Sequence, residues 1–253
     1  MQITGNTMLI TGGGSGIGRA LAEAFHARGN QVIIAGRRQA ALDEVARANP
    51  GIATAVLDAS DAGDIARFAA QVGRDHPALN VLINNAGIMQ AEDWRADRVD
   101  LDTAEATIAT NLLAPIRLTA ALLPVLRRQA TSTMVTVSSG LAFVPKAATP
   151  TYSATKAAIH SFSESLRHQL RGTGVDVIEI APPYVQTALT GAHQAGDPLA
   201  MPLKDFIDEV MQILETQPDA REVLVGRVHA QRFAAGSDQA AYRQVFARVN
   251  GGA

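Results

Sequence analysis

Tyr152 and Lys156 stand four residues apart in the run YSATK. On a helix both side chains leave the same face, with the ammonium one turn from the phenol. A free phenol has a pKa near ~10 and is a poor acid or base at neutral pH. A neighbouring cation favours the phenolate, and bringing that pKa to about 7 takes roughly 4 kcal/mol of differential stabilisation. The pair is a candidate proton donor and acceptor, the alternative being two unrelated side chains on a helix surface. Thirteen residues earlier a β-branched run ends in Ser138, Ser139 and Gly140. Ligands bind beyond the carboxyl ends of strands in an open parallel sheet, where a hydroxyl can polarise a carbonyl; otherwise the serines are polar punctuation. Asn111 lies in a helical pattern that asparagine does not favour, and Pro115, which has no N–H, follows four residues later. The Asn111 carbonyl then loses its intrahelical partner and can hold water, unless the proline only kinks the helix for packing. As a set these residues suit proton transfer at the oxygen of a carbonyl or alcohol.

Such an oxygen needs a reaction partner at carbon, and the head of the chain offers a place for one. Thr11, Gly12, Gly13, Gly14, Ser15, Gly16, Ile17 and Gly18 follow a short apolar run and precede a helical pattern. A phosphate reaches the free amides of a helix N-terminus only where no side chain intervenes, and the partial positive charge there favours an anion by ~0.3 to 1 kcal/mol. Strand, glycine loop and helix at the start of an alternating chain point to a dinucleotide site rather than a flexible turn. At the end of the second apolar run, where such a fold reads the adenine ribose, stand Gly36, Arg37 and Arg38 with no carboxylate among them. Guanidiniums pair with phosphate in a bidentate fork, which predicts NADP(H) over NAD(H); the alternative is two solvated arginines opening a helix. Asp58 ends the third run, placed either to accept from an adenine amino group or, with Ser60 and Asp61, to form a turn and cap.

These groups need a scaffold, and 253 residues with 47% hydrophobic and 18% charged content supply one large folded domain. The 22 basic and 24 acidic side chains leave a net charge of −2, with no broad basic field for nucleic acid or anionic lipid. There is no cysteine, which excludes disulfides, thiolate nucleophiles and iron-sulfur ligation. The start MQITGNTMLITGG lacks the features of a signal peptide, and no apolar run approaches ~18 residues, so a cytoplasmic location without a membrane partner is expected. Candidate strands are residues 8–11, 31–35, 53–58, 81–84, 133–138, 175–181 and 222–225. Between them run helical patterns at 17–28, 39–48, after Ser60 as N-cap, 102–129 and 152–171. The expectation is a single doubly wound (Rossmann) α/β domain, with a seven-stranded, mostly parallel sheet and helices on both faces. The segment 188–215 is expected to cover a substrate cleft, with Leu199, Met201, Leu203 and Phe206 as apolar lining.

Four motifs in this order resemble the short-chain dehydrogenase/reductase family over nearly the whole chain. They are the TGxxxGxG loop at Thr11 to Gly18, the NNAG turn at Asn84, Asn85, Ala86 and Gly87, the serine at Ser139, and YxxxK at Tyr152 to Lys156. The resemblance implies that Tyr152 donates or accepts the proton, Lys156 lowers its pKa and contacts the nicotinamide ribose, and Ser139 holds the carbonyl oxygen. It also implies that Asn111 binds a water linking Lys156 to solvent. Cofactor contacts implied in the same way are Gly12, Ser15, Gly16, Ile17, Gly18, Asn85, Ala86 and Gly87, with Pro182, Val185 and Thr187 beside the nicotinamide. The segments SSGLAFVP, ATKAAIHSFSESLRHQL and VIEIAPPYVQT look most like the DltE-type oxidoreductases. Two departures stand out. Pro182 and Pro183 replace the usual Pro-Gly, stiffening the wall beside the ring, and REVLVGRV replaces a glycine-rich closing strand. A homo-oligomer, dimer or tetramer, and a small carbonyl or alcohol substrate are expected from the family.

Rival readings are few. Ser153 and Lys156 also read as S-x-x-K, but the partner motifs S-D-N and K-T-G of serine acylases are missing. A non-catalytic NADP(H) sensor remains the alternative to an enzyme. No metal site is predicted: His160 and His168 read as surface or packing residues, and Glu92, Asp93, Asp97 and Asp100 alternate with Arg95 and Arg98 as in a solvated loop. Trp94 either rims the cleft or packs that loop.

Overall fold

Seven short runs rich in β-branched and aliphatic residues form the strands of the computed structural model, which describes residues 1–236 and 238–251. They are β1 (Thr7–Thr11), β2 (Gln31–Gly36), β3 (Ala53–Val56), β4 (Val81–Asn84), β5 (Ser132–Val137), β6 (Val175–Ile180) and β7 (Glu222–Val223). Every pairing is parallel, in the order β3-β2-β1-β4-β5-β6-β7. All residues of β1, β4 and β5 are buried, as strands covered on both faces must be.

Ten α-helices accompany them among the described residues. They are α1 (Gly16–His26), α2 (Gln39–Ala48), α3 (Ala62–Asp75), α4 (Leu101–Ile108), α5 (Ala114–Leu126), α6 (Pro150–Gln169), α7 (Ala192–Ala195), α8 (Leu203–Thr216), α9 (His229–Arg232) and α10 (Gln239–Val249). Successive residues of β1 feed opposite layers. Met8 and Ile10 join Leu21, Phe25 and Phe206 on one side, while Leu9 joins Phe68, Leu118 and Leu122 on the other. Each such side chain, fully buried, contributes about 1.5–3 kcal/mol. The chain winds outward from β1 to β3, then returns to β4 beside β1. A crevice opens at that reversal, past the carboxyl ends of the strands.

Several expectations need correction. The third strand stops at Val56, so Asp58 lies in the loop beyond it, and the fifth stops at Val137, leaving Ser138 and Ser139 outside. Asp61, not Ser60, caps α3 by accepting from the Asp64 amide; Ser60 instead bonds Asp58. The segment 102–129, expected to hold one or two helices with a kink at Pro115, holds two, α4 and α5. A π-turn over Ala109–Leu113 joins α4 to α5, so the ladder widens ahead of Pro115, which takes an N-terminal position in α5 that needs no N–H. The helical run Leu101–Leu126 is 26 residues long and contains an 18-residue window of mean hydropathy 1.5, apolar enough by length and composition to span a bilayer. Scanning for uninterrupted apolar residues hid it. Its Leu118, Leu122 and Leu126 pack into the sheet's core. Phe206 is a core residue rather than cleft lining because α8 lies against α1, Leu203 packs on the same core and Met201 is buried in a bridge to Val185, whereas Leu199 is 77% exposed.

Candidate active site

The glycine loop forms because β1 must turn sharply into α1 beside β2 and β4. Gly16 enters the helix at φ +53°, a conformation a side chain disfavours. Gly18 faces a closer constraint: a Cβ there would lie 2.3 Å from Asn85 Nδ2 and 2.4 Å from the Gly12 carbonyl oxygen. The Gly12 and Gly13 amides donate to the Ala35 carbonyl, fastening the loop to β2. Ser15 caps α1 without a side-chain hydrogen bond, so the amides of the first turn, including Gly16, Ile17 and Gly18, meet no capping side chain. Above them runs a groove lined by Gly12, Ser15, Arg37, Arg38, Asp58, Ala86 and Gly87 among others.

Not every predicted contact faces this groove. Asn85 is a brace: its amide donates to the Thr11 carbonyl at 2.9 Å and its N–H to Thr11 Oγ1 at 3.0 Å, tying β4 to β1. Asp58 spends Oδ1 on the Ser60 amide and hydroxyl, which hold its carboxyl below the usual range, with Arg37 adding a smaller pull in that direction. Arg37 and Arg38 are exposed at the end of β2. Pro182 accepts from the Gly140 amide at 2.8 Å, joining the ends of β5 and β6. Val185 is buried, and its carbonyl takes the Gln194 side chain at 2.8 Å. Thr187 flanks Gly16, 3.6 Å from where a Cβ would stand.

At the crevice, the loop after β5, the π-turn and α6 bring the candidate proton-transfer residues together. Ser139, Tyr152, Lys156 and Asn111 are all buried. Lys156 Nζ donates to the Val137 carbonyl at 2.8 Å and lies 5.5 Å from the centre of the Tyr152 ring. Burial pushes the phenol up to about 12, while a hydrogen bond from the Ser139 hydroxyl acts the other way. Burial pushes Lys156 down to about 8, opposed by the carboxylate of Glu179. The Asn111 side chain clamps Ile88, accepting from its amide at 2.9 Å and donating to its carbonyl at 2.8 Å. Gly87 lies where Asn111 and Lys156 converge, for a Cβ there would be 3.3 Å from Asn111 Oδ1 and 3.8 Å from Lys156 Nζ. Ser153 Oγ, by contrast, serves the helix start, donating to the Thr149 carbonyl and accepting from the Lys146 amide.

Two features escaped the sequence. Glu92, read as part of a solvated loop, accepts from the Thr151 amide at 3.0 Å and its hydroxyl at 2.7 Å. A carboxylate thus sits at the start of α6, next to Tyr152, where the helix dipole favours it. No local pattern signals a contact 59 residues apart. His160 is neither surface nor plain packing: its Nδ1 lies 2.8 Å from Glu179, whose register partner on β7 is Glu222. One ligand atom from each of the three falls within 4.8 Å of the others, but Arg232 grips Glu222 through two nitrogens at 3.0 Å.

A glycine loop uncapped at a helix N-terminus, followed by a buried tyrosine, lysine and serine at the switch point of a parallel sheet, defines an oxidoreductase of the short-chain dehydrogenase class. Residues 6–197 match the short chain dehydrogenase family model, and the chain belongs to that family. Within it the chain falls in the DltE-like branch, being 46% identical over 189 residues to the uncharacterized oxidoreductase DltE of Bacillus subtilis, 75% of each protein. Among solved structures it resembles a short chain dehydrogenase from Burkholderia cenocepacia in complex with NADP, at 25% identity and TM-score 0.81, covering 97% of this chain and 99% of that one. A short chain dehydrogenase/reductase from Burkholderia phymatum in complex with NAD shares the fold at 19% identity and TM-score 0.78, covering 93% and 95%.

Proposed function

We propose that the protein transfers hydride between NADP(H) and a small carbonyl or alcohol substrate, with Tyr152 as general acid and base. The observation that carries this reading is the buried cluster of Ser139, Tyr152 and Lys156 beside the groove. The residues present fit a dinucleotide. The first turn of α1, with Gly12, Ser15, Gly16, Ile17 and Gly18, offers open amides for a pyrophosphate. Arg37 and Arg38 are free to take a 2′-phosphate, and Asp58 keeps one oxygen for an adenine. Asn85 braces Ala86 and Gly87 at a ribose, while Pro182, Val185 and Thr187 wall the nicotinamide end. NADP in the Burkholderia cenocepacia relative agrees with this preference; NAD in its more distant neighbour is why the arginines, rather than the family, carry it.

When bound, the nicotinamide supplies or accepts a hydride at C4. In the reducing direction Ser139 donates a hydrogen bond to the substrate oxygen and Tyr152 gives it a proton; oxidation reverses both steps. Burial keeps the phenol protonated near neutrality, the form that donates. The Lys156 ammonium favours the phenolate and so eases the proton's departure to the substrate. Asn111 fixes Ile88 and, by resemblance, holds the water that re-protonates Lys156. Of the segment 188–215, the part ahead of the core-packed α8 covers the cleft, and the enzyme works in the cytoplasm as a homo-oligomer, for which exposed Leu101, Ile108 and Leu113 offer an apolar contact.

The test is Tyr152→Phe assayed by nicotinamide absorbance on a panel of ketones, aldehydes and alcohols. Turnover is expected to fall by ~10² to 10⁴ with NADPH affinity nearly intact. Unchanged turnover overturns the assignment, and binding without turnover in the natural protein returns the sensor reading.

A further inference from the structure

Glu179 is fully buried on β6, on the same strand face as Val175 and Val177. An apolar residue would serve packing there, and a buried carboxylate is costly unless paired. Its Oε2 meets His160 Nδ1 at 2.8 Å, while its Oε1 has no hydrogen-bond partner. Some cation must offset this charge. The charged groups around it are Lys156, His160, Glu164 and Arg167 from α6, Arg221 just before β7, Glu222 from β7, and Arg232 from α9. Arg232 is spent on Glu222 in a two-nitrogen fork. Arg167 donates to the backbone carbonyls of Val177 and Arg221. His160, raised above its ordinary pKa by its hydrogen bond to Glu179, answers part of the charge. Lys156, a buried cation one helical turn before His160 on α6, adds to their effect. Its ammonium is anchored on the Val137 carbonyl, and Val137 is the β5 residue next to Thr136, which pairs with Glu179 across the β5–β6 ladder.

We propose that Glu179, steadied by His160, is a positioning residue whose buried carboxylate keeps Lys156 an ammonium beneath Tyr152. The inference rests on the Tyr152 and Lys156 chemistry proposed above, yet it is testable without turnover. Burial alone drives Lys156 towards the neutral amine, and Glu179 is what opposes it. A neutral amine would leave the phenol at its high value and the acid-base pair idle at neutral pH. Glu222 does not share the task, being held by Arg232.

The chain has three lysines, Lys146, Lys156 and Lys204, so ε-¹³C-lysine labelling gives three resolvable NMR titrations. In Glu179→Gln the Lys156 midpoint should fall by about one pH unit, the lower end of what a nearby opposite charge produces, with Lys146 and Lys204 unmoved. Glu179→Leu, apolar and of similar volume, is the second variant, since replacing a buried charge by a packed apolar side chain often leaves stability intact. It should give the same shift, and Glu179→Asp should restore most of it. The alkaline limb of the pH–rate profile should move down with the lysine. A Lys156 midpoint within about 0.2 units of the natural protein in both neutral variants, against that expected shift, overturns the proposal. Failure of every substrate with the lysine shift intact sinks the enzymatic reading alone.

Discussion

Removing the two guanidiniums at the end of β2 should convert a selective nucleotide groove into an indifferent one. Arg37 and Arg38 are exposed, and Arg37 lies near enough to Asp58 to draw its carboxyl down. Deleting a hydrogen bond to a charged group costs roughly 1.5–3 kcal/mol in a protected site, whereas an exposed ion pair is worth about 0.2–1. A half-open groove falls between these limits, so ~1–2 kcal/mol per arginine is expected, or about 5- to 30-fold in the Kd for NADPH. Loss of Arg37 also leaves Asp58 facing the phosphate without its neighbouring cation, which places Arg37→Ala at the upper end. The double variant should stop near 100-fold, because both side chains address one phosphate and their effects do not add. Affinity for NADH should change by less than about twofold, since its ribose carries no phosphate. The measurement is a fluorescence titration of each nucleotide at 50 and 500 mM salt, where the natural protein's NADPH affinity should be the more salt-sensitive. Equal weakening of NADPH and NADH, or no weakening of NADPH, would refute the reasoning.

Two other perturbations test the frame around the site. Gly18→Ala places a methyl against Asn85 Nδ2 and the Gly12 carbonyl, both tied to neighbouring strands, and should cost ~1–3 kcal/mol. Scanning calorimetry should then show a Tm lower by about 2 to 10 °C, and an unchanged Tm would contradict the packing. His160 is raised above its ordinary pKa chiefly by the hydrogen bond to Glu179. Its stabilising contribution is therefore full below the unfolded value of about 6.5 and lost as pH rises through the higher folded value. His160→Gln should be most destabilised relative to the natural protein near pH 5.5, with the gap narrowing by pH 9 in urea melts; a gap that widens with pH is the contrary result.

What the sequence disclosed depended on locality. The Tyr152 and Lys156 pair, the glycine loop and the apolar strands are each written within a few consecutive residues, and periodicity alone set them on one helix face or in one buried layer. Asn85 and Asp58 lay in legible motifs, but their side chains turn to Thr11 and Ser60, because an unpaired amide or carboxylate takes the nearest satisfied geometry. The π-turn at Ala109–Leu113 was invisible, since a widened ladder has no residue signature beyond the Asn111 and Pro115 spacing. Phe206 was misplaced because an amphipathic helix advertises an apolar face without saying whether a cleft or another helix will meet it. Glu179 and Glu222 became neighbours only through strand register, a pairing set by the whole sheet.

The grip of Glu92 on Thr151 has a practical side for redesign. Anyone rewriting the loop around Trp94 is also handling the bolt that seats the residue preceding Tyr152. Libraries that randomise this loop while leaving one carboxylate untouched should retain working members, and those that vary it should mostly return folded but sluggish ones.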